Sequence, residues 1–232
     1  MRPYIIQFNH HTSDDFGVVL YSYEIYSGGQ KNYTTTAVAG RLGQLVSQDV
    51  YKSNLVIGVT FSILSYEFMA KICQLKEWLK GTGNLTFSDN ADCFYKVLKI
   101  NYGNIERDTR NYGRFTVSFE CVPYEFLKNG TILINQSTNI LRNPYSASRP
   151  IYKITGEGNC ELNVNGNAMI ANVGQNLTIN TELMIAYRED GEVQNATVTG
   201  DYEKLYLSEG ENILKITEGF ELKIIPNWGY EI

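Results

Sequence analysis

Two adjacent histidines, His10 and His11, are the whole imidazole supply of this 232-residue chain. Any metal site or hydrolytic triad that needs histidine must therefore form there. On an extended strand neighbouring side chains point to opposite faces, so the pair cannot grip one ion together. No Cys-x-x-Cys motif or nucleophile elbow stands beside them. Paired carboxylates are the remaining route, because a glycosidase needs only two acids held about 5–10 Å apart. The candidates are Asp14-Asp15 and Glu189-Asp190-Gly191-Glu192. Both read as solvated turns, and Asp-Gly at 190–191, ahead of Val193, is a hairpin signature. Asp89-Asn90-Ala91-Asp92 lacks the alternating oxygens, central glycine and closing Glu of a calcium loop, and reads as the corner of a sheet. Gly156-Glu157-Gly158 falls between two expected strands, with no following helix to hold a phosphate. The expectation is a protein that is not an enzyme, with no catalytic residues, metal or cofactor.

Composition points the same way. Hydrophobic residues make up 43% and charged residues 19%, a foldable chain with an Asn/Thr/Ser-rich surface. The net charge of -5, with scattered Lys and Arg, offers no basic stripe for nucleic acid. The N-terminus shows alternation instead of an export-signal core, and no run approaches the roughly 18 apolar residues of a membrane span. The expected chain is soluble and made without export. Cys73, Cys93, Cys121 and Cys160 each sit within an apolar pattern, as buried reduced thiols would. Asn-x-Ser/Thr triplets such as Asn84-Leu85-Thr86 are a by-product of an Asn- and Thr-rich chain.

The elements that would position these residues are mostly strands. Ile57, Val59, Phe61 and Ile63 alternate with small polar residues, as do Phe115, Val117, Phe119 and Cys121, which is the period of a half-buried strand. Between them Phe68, Ile72, Leu75 and Leu79 form one apolar stripe, predicting a helix over Tyr66 to Lys80. Ser65 can cap its start, Glu67 suits the positive end of its dipole, and Gly81 supplies the stop. Short strands follow at Leu85–Phe87 and Cys93–Ile100. Leu141 to Pro150 reads as a linker or an extended crossing arm. Beyond it, strands are expected near Ile151–Thr155, Cys160–Val164, Met169–Ala171, Leu177–Ile179, Leu183–Tyr187, Tyr202–Leu207, Asn212–Ile216 and Phe220–Ile225. Strands at this spacing without helices indicate an antiparallel sandwich or jelly roll. Length favours two domains, 1–140 and 141–232. Trp228 could stack on a sugar, although a core or edge anchor is the reading favoured for a large aromatic.

Taken in order, several stretches resemble the distal tail protein (Dit) family of long-tailed phages, in its compact form. They are Ser13-Asp14-Asp15-Phe16-Gly17-Val18, Val38-Ala39-Gly40-Arg41-Leu42-Gly43, Trp78-Leu79, Leu85-Thr86-Phe87-Ser88-Asp89, Tyr95, and Phe115 to Tyr124. Further on come Asn143-Pro144, Arg149-Pro150, Leu177-Thr178-Ile179-Asn180, Gly210-Glu211-Asn212 and Pro226-Asn227-Trp228. Ala39 and Leu42 depart from the family's usual Pro-Gly-Arg-Asp-Gly turn, and Asn180 stands where Asp is common.

The resemblance implies a mainly β fold. Its N-terminal β-sandwich ring domain would carry one α-helix and a hairpin, and a galectin-like C-terminal β-sandwich would follow. It implies a homohexameric ring at the virion tail tip, assembled in the host cytoplasm. The ring would join the major tail tube protein to the tail-tip (tail-associated) protein, near receptor-binding proteins. DNA would pass through its lumen without sequence-specific contact, and no membrane is involved. True galectins depend on a sugar-binding histidine that the second half lacks, and no inserted carbohydrate-binding module fits the length. The alternative is a carbohydrate-binding module that recognises host cell-wall polysaccharide. Val38, Gly40, Arg41, Leu42, Gly43 and Leu45 read either as subunit contacts, glycines amid apolar residues suiting a docking loop, or as an ordinary hairpin with an exposed arginine.

Overall fold

The computed structural model describes residues 4–26, 31–135 and 139–232. In chain order the strands are β1 (Ile6–Phe8), β2 (His11–Thr12), β3 (Val19–Tyr26), β4 (Lys31–Thr36), β5 (Leu45–Lys52) and β6 (Leu55–Leu64). Helix α1 (Phe68–Trp78) follows, then β7 (Gly83–Phe87), β8 (Cys93–Arg107), β9 (Tyr112–Leu127), β10 (Ile134–Asn135) and β11 (Ile140–Asn143). The remainder is β12 (Ile151–Val164), β13 (Asn167–Asn180), β14 (Ile185–Tyr187), β15 (Val198–Thr199), β16 (Gly210–Ile216), β17 (Glu221–Ile225) and β18 (Gly229–Glu231). The protein is mainly β, with antiparallel pairing in every sheet and one α-helix among the described residues. It divides into two compact units, Met1–Glu125 with Glu231–Ile232, and Phe126–Tyr230.

The first unit is built on the two strands with the cleanest alternation. β6 and β9 are direct neighbours, with Ile57 opposite Phe119, Val59 opposite Val117 and Phe61 opposite Phe115. All six side chains are fully buried, because a matched register puts both apolar rows on one face. The full sheet runs β2-β1-β7-β8-β9-β6-β3. It curls over its own core, since Tyr23 on β3 stacks on Phe87 of β7 with ring centroids 4.4 Å apart although three strands, β8, β9 and β6, separate them.

Helix α1 closes this core. Phe68, Ile72, Leu75 and Leu79 are all buried, each contributing roughly 1.5–3 kcal/mol relative to exposure. The Ser65 hydroxyl accepts the Glu67 N–H at 3.1 Å, and the helix starts two residues later than its stripe suggests. Its end is held from β8, where the Tyr102 phenol donates to the carbonyls of Leu79 (2.7 Å) and Lys76 (2.9 Å). Those carbonyls would otherwise lack partners.

In the second unit, β12 and β13 form one long hairpin paired from Ile151–Asn180 to Val164–Asn167. Sequence reading broke each into two strands at Gly156-Glu157-Gly158 and near Gly174. The glycines lie inside the ladder instead: a Cβ on Gly156 would sit 2.3 Å from the Phe220 ring, so the strand is kept open there for an aromatic to pack on bare backbone. Below this point β12 pairs with β17, and above it with β16, so the hairpin turns the corner between two layers. Tyr202–Leu207, expected as a strand, is a 3₁₀ turn over Tyr202–Leu205. Leu205 is buried and its carbonyl accepts from the buried Tyr152 hydroxyl at 2.7 Å.

Leu141–Pro150 is not a linker but part of this unit's frame. β11 pairs with β16, and Ser148 bridges to Leu207. Asparagine does more here than wet the surface, for Asn143, Asn180, Asn212 and Asn227 are buried. Asn143 donates to Ser146 and Leu207 carbonyls and accepts the Tyr145 N–H. Asn180 accepts from Glu182 and Leu183 N–H groups, and Asn227 donates to the Arg149 carbonyl. A primary amide presents donor and acceptor at once, so one side chain staples two loop segments.

Candidate assembly surface

Of the carboxylates proposed for chemistry, Asp15 and Asp190 each close a turn. Asp15 accepts the Thr12 N–H at 2.8 Å, closing a capping box on a 3₁₀ turn over Ser13–Phe16, and that bond holds its carboxyl below the usual range. His11 lies 3.7 Å from Asp15 and edge-on to Phe16, and both histidines are exposed. Asp190 accepts the Glu192 N–H at 2.9 Å, the Gly191 N–H reaches the Arg188 carbonyl at 2.9 Å, and Tyr187 bridges to Val193. This is the expected hairpin. Among the described residues no three of His, Cys, Asp and Glu gather as metal ligands would.

The corner at Asp89 carries a polar tie. Asp89 accepts from the Tyr23 hydroxyl, which pushes that phenol up to about 12, the bond itself being the main cause. One position further, Asn90 and Tyr95 both donate to Glu125 Oε1 at 2.7 Å. Burial, then that bond, raises the Tyr95 phenol. These contacts lock β3, β8 and β9 around the turn.

Cys93, Cys121 and Cys160 are buried free thiols, with burial pushing Cys121 up to about 12. Cys73 is the exception, exposed on α1. Trp228 is part-buried, with its backbone against Gly130 and its ring 6.0 Å from Tyr145. A Cβ on Gly130 would fall 2.6 Å from the Trp228 nitrogen, so this tryptophan is packed as an anchor.

One hairpin concentrates exposed apolar side chains. β4 and β5 pair antiparallel, Thr36 opposite Leu45 and Thr35 opposite Val46, and among the described residues neither strand joins another sheet. Between them the Arg41 N–H donates to the Val38 carbonyl at 3.2 Å, and Gly40 and Gly43 take φ of 79° and 92°, where a side chain is strained. All six residues singled out in the sequence, Val38, Gly40, Arg41, Leu42, Gly43 and Leu45, fall on this tip and its edge and are exposed. Leu42 is fully exposed, and Tyr33 and Val46 add 63% and 58% exposure nearby. Sequence reading missed Tyr33 and Val46, whose Thr-rich surroundings give no alternation to find them by.

Together the two units define a class: a two-part antiparallel β protein with one helix and a separate hairpin. No family model and no curated protein matches the sequence. Among solved structures, the chain matches the crystal structure of Dit (gp 19.1) from phage SPP1, described as a paradigm of the hub adsorption apparatus in phages that infect Gram-positive bacteria. The TM-score is 0.68 over 96% of this chain and 98% of that one, at 12% identity. The chain thus has a Dit-like fold, as the ordered sequence stretches implied.

Proposed function

We propose that the protein is a structural hub of a phage tail tip, acting through contacts with copies of itself and with neighbouring virion proteins. The observation that carries this is the mutual match with the SPP1 hub protein over 96% of this chain and 98% of that one, both units included. The first unit would form the ring and the second would be the galectin-like sandwich. Six copies would link the tail tube to the tail-tip protein, in a virion assembled in the host cytoplasm. The carboxylates fixed in turns support this reading, because no catalytic step needs to be assigned to them.

The β4–β5 hairpin is the surface we assign to subunit contact. A lone two-stranded hairpin is marginal in water, and this one carries exposed Tyr33, Val38, Leu42, Leu45 and Val46. Seating Leu42 alone against a neighbour would contribute roughly 1.5–3 kcal/mol per contact. Arg41→Glu and Leu42→Asp should abolish rings in negative-stain images of the concentrated protein while leaving the melting temperature within about 2 °C, since exposed positions seldom change stability by more than ~0.5 kcal/mol. Intact rings from both variants would remove the hairpin from the interface. A wild-type chain that stays monomeric at every concentration, and without its virion neighbours shows no assembly, would remove the ring.

A further inference from the structure

We propose that Lys52 and Glu231 form a latch that sets the direction in which the β4–β5 hairpin projects. The hairpin has no ladder to the main sheet, so its direction is decided at its foot. There β5 ends at Lys52, and only Ser53 and Asn54 separate it from Leu55, the buried first residue of β6. The Lys52 ammonium lies 2.9 Å from Glu231 Oε1 and 3.1 Å from the Ile232 carbonyl oxygen. Residues 231–232 belong to the first unit, where the Ile232 N–H meets the Pro123 carbonyl of β9 at 3.5 Å. Lys52 therefore ties the foot of a free-standing element to residues anchored on the main sheet.

Covering of the ammonium's stem separates this pair from the ordinary surface ion pairs of the chain. The Lys52 side chain is 23% exposed, against 35% for Lys223 and 58–63% for Lys80, Lys99 and Lys204 in their pairs. Lys80 and Lys204 also bind acids three residues away, which can add nothing to tertiary direction. An exposed pair is nearly neutral, because ordering two long side chains offsets a screened attraction. A lysine whose stem is already packed loses less on pairing, and two acceptors at fixed angles define where its nitrogen sits. With only two residues between the strands, a fixed foot leaves the hairpin little freedom to swing, which sets the direction of Leu42 ten residues back along the chain.

The latch deepens the proposed assembly role and rests on it for its purpose, yet its geometry is testable without any ring. Leu42→Cys paired with the native exposed Cys73 on α1 gives two spin-label sites in a chain whose other cysteines are buried. Pulsed dipolar spectroscopy should give one narrow distance distribution. Lys52→Met and Glu231→Gln should each at least double its width, and the swap Lys52→Glu with Glu231→Lys should restore it. Unchanged widths in the single variants, or a swap that stays broad, would overturn the latch. Should Lys52→Met fail to fold, Glu231→Gln decides alone. In the chain with Leu42 intact, the same variants should weaken self-association about 3- to 10-fold. A wild-type chain that never associates would defeat the assembly reading while the label distances still judged the latch.

Discussion

Asn212→Asp exchanges a single NH₂ for an oxygen, and the surroundings of that atom fix what should follow. In the native chain Asn212 Oδ1 accepts the Ser208 N–H and the Asn165 amide, both at 2.8 Å, while its Nδ2 donates to the carbonyls of Ser208 at 2.8 Å and Gly210 at 3.3 Å. The side chain is fully buried. An ionised Asp keeps the two accepted bonds but turns a negative oxygen onto two carbonyl oxygens. Two donated bonds disappear and a buried charge is left uncompensated, a change that costs about 3–5 kcal/mol. Protonated, the new acid can donate once, to Ser208, and the residual loss falls to about 1 kcal/mol for the bond to Gly210.

The folded state therefore raises the pKa of this Asp above its unfolded value of about 3.9. A raised folded pKa means the missing stability is recovered below the unfolded pKa and lost as pH climbs through the folded one. The variant should thus trail the parent by about 3 kcal/mol or more at pH 7.5 and by about 1 kcal/mol near pH 4. Urea unfolding followed by tryptophan fluorescence in a Trp78→Phe background reads the second unit alone, because Trp228 is then the only tryptophan. Equal stability at pH 7.5, or a loss that does not shrink on acidification, would refute the staple.

Other consequences can be measured directly. Tyr23→Phe removes the phenol that Asp89 accepts from; since that phenol sits near 12 when folded and near 10 when unfolded, the wild-type advantage in melting temperature should hold at pH 8 and fade between pH 10 and 12. A constant advantage up to pH 12 would mean that the bond does not form. Native protein at pH 8 should take one equivalent of a thiol reagent, and peptide mapping should place it on Cys73, with Cys121 reacting only after unfolding.

How much of this was legible beforehand depends on whether local pattern and tertiary context agreed. β6, β9 and α1 were readable because one face of each is wet, so the apolar period of Ile57–Ile63, Phe115–Cys121 and Phe68–Leu79 states both the element and its buried side. Gly156 and Gly158 misled because a glycine that interrupts a strand and one that ends it look alike; what distinguishes them is Phe220, sixty-four residues away, lying on Gly156. Tyr202–Leu207 alternates like a strand because Leu205 and Leu207 are both buried, although a 3₁₀ turn delivers them. The buried asparagines were invisible for a related reason. Polarity predicts exposure on average, and only three-dimensional proximity of free backbone groups makes an amide worth burying.

The hairpin whose strands show no apolar period of their own is also the surface assigned to the proposed assembly. Its strand Lys31–Thr36 shows no apolar face because, within its own unit, it covers no core. Elsewhere the inward rows of β6, β9 and α1 are satisfied by one another, and those of β12, β13, β16 and β17 likewise. Leu42 lies wholly in water on a two-stranded projection outside both cores, which is the surface proposed above to meet a second copy. In the proposed ring each copy would both offer and receive that projection, so a loss too small to disturb one contact would be repeated at every joint. Assembly should accordingly be far more sensitive than folding to changes at Arg41, Leu42 and Lys52.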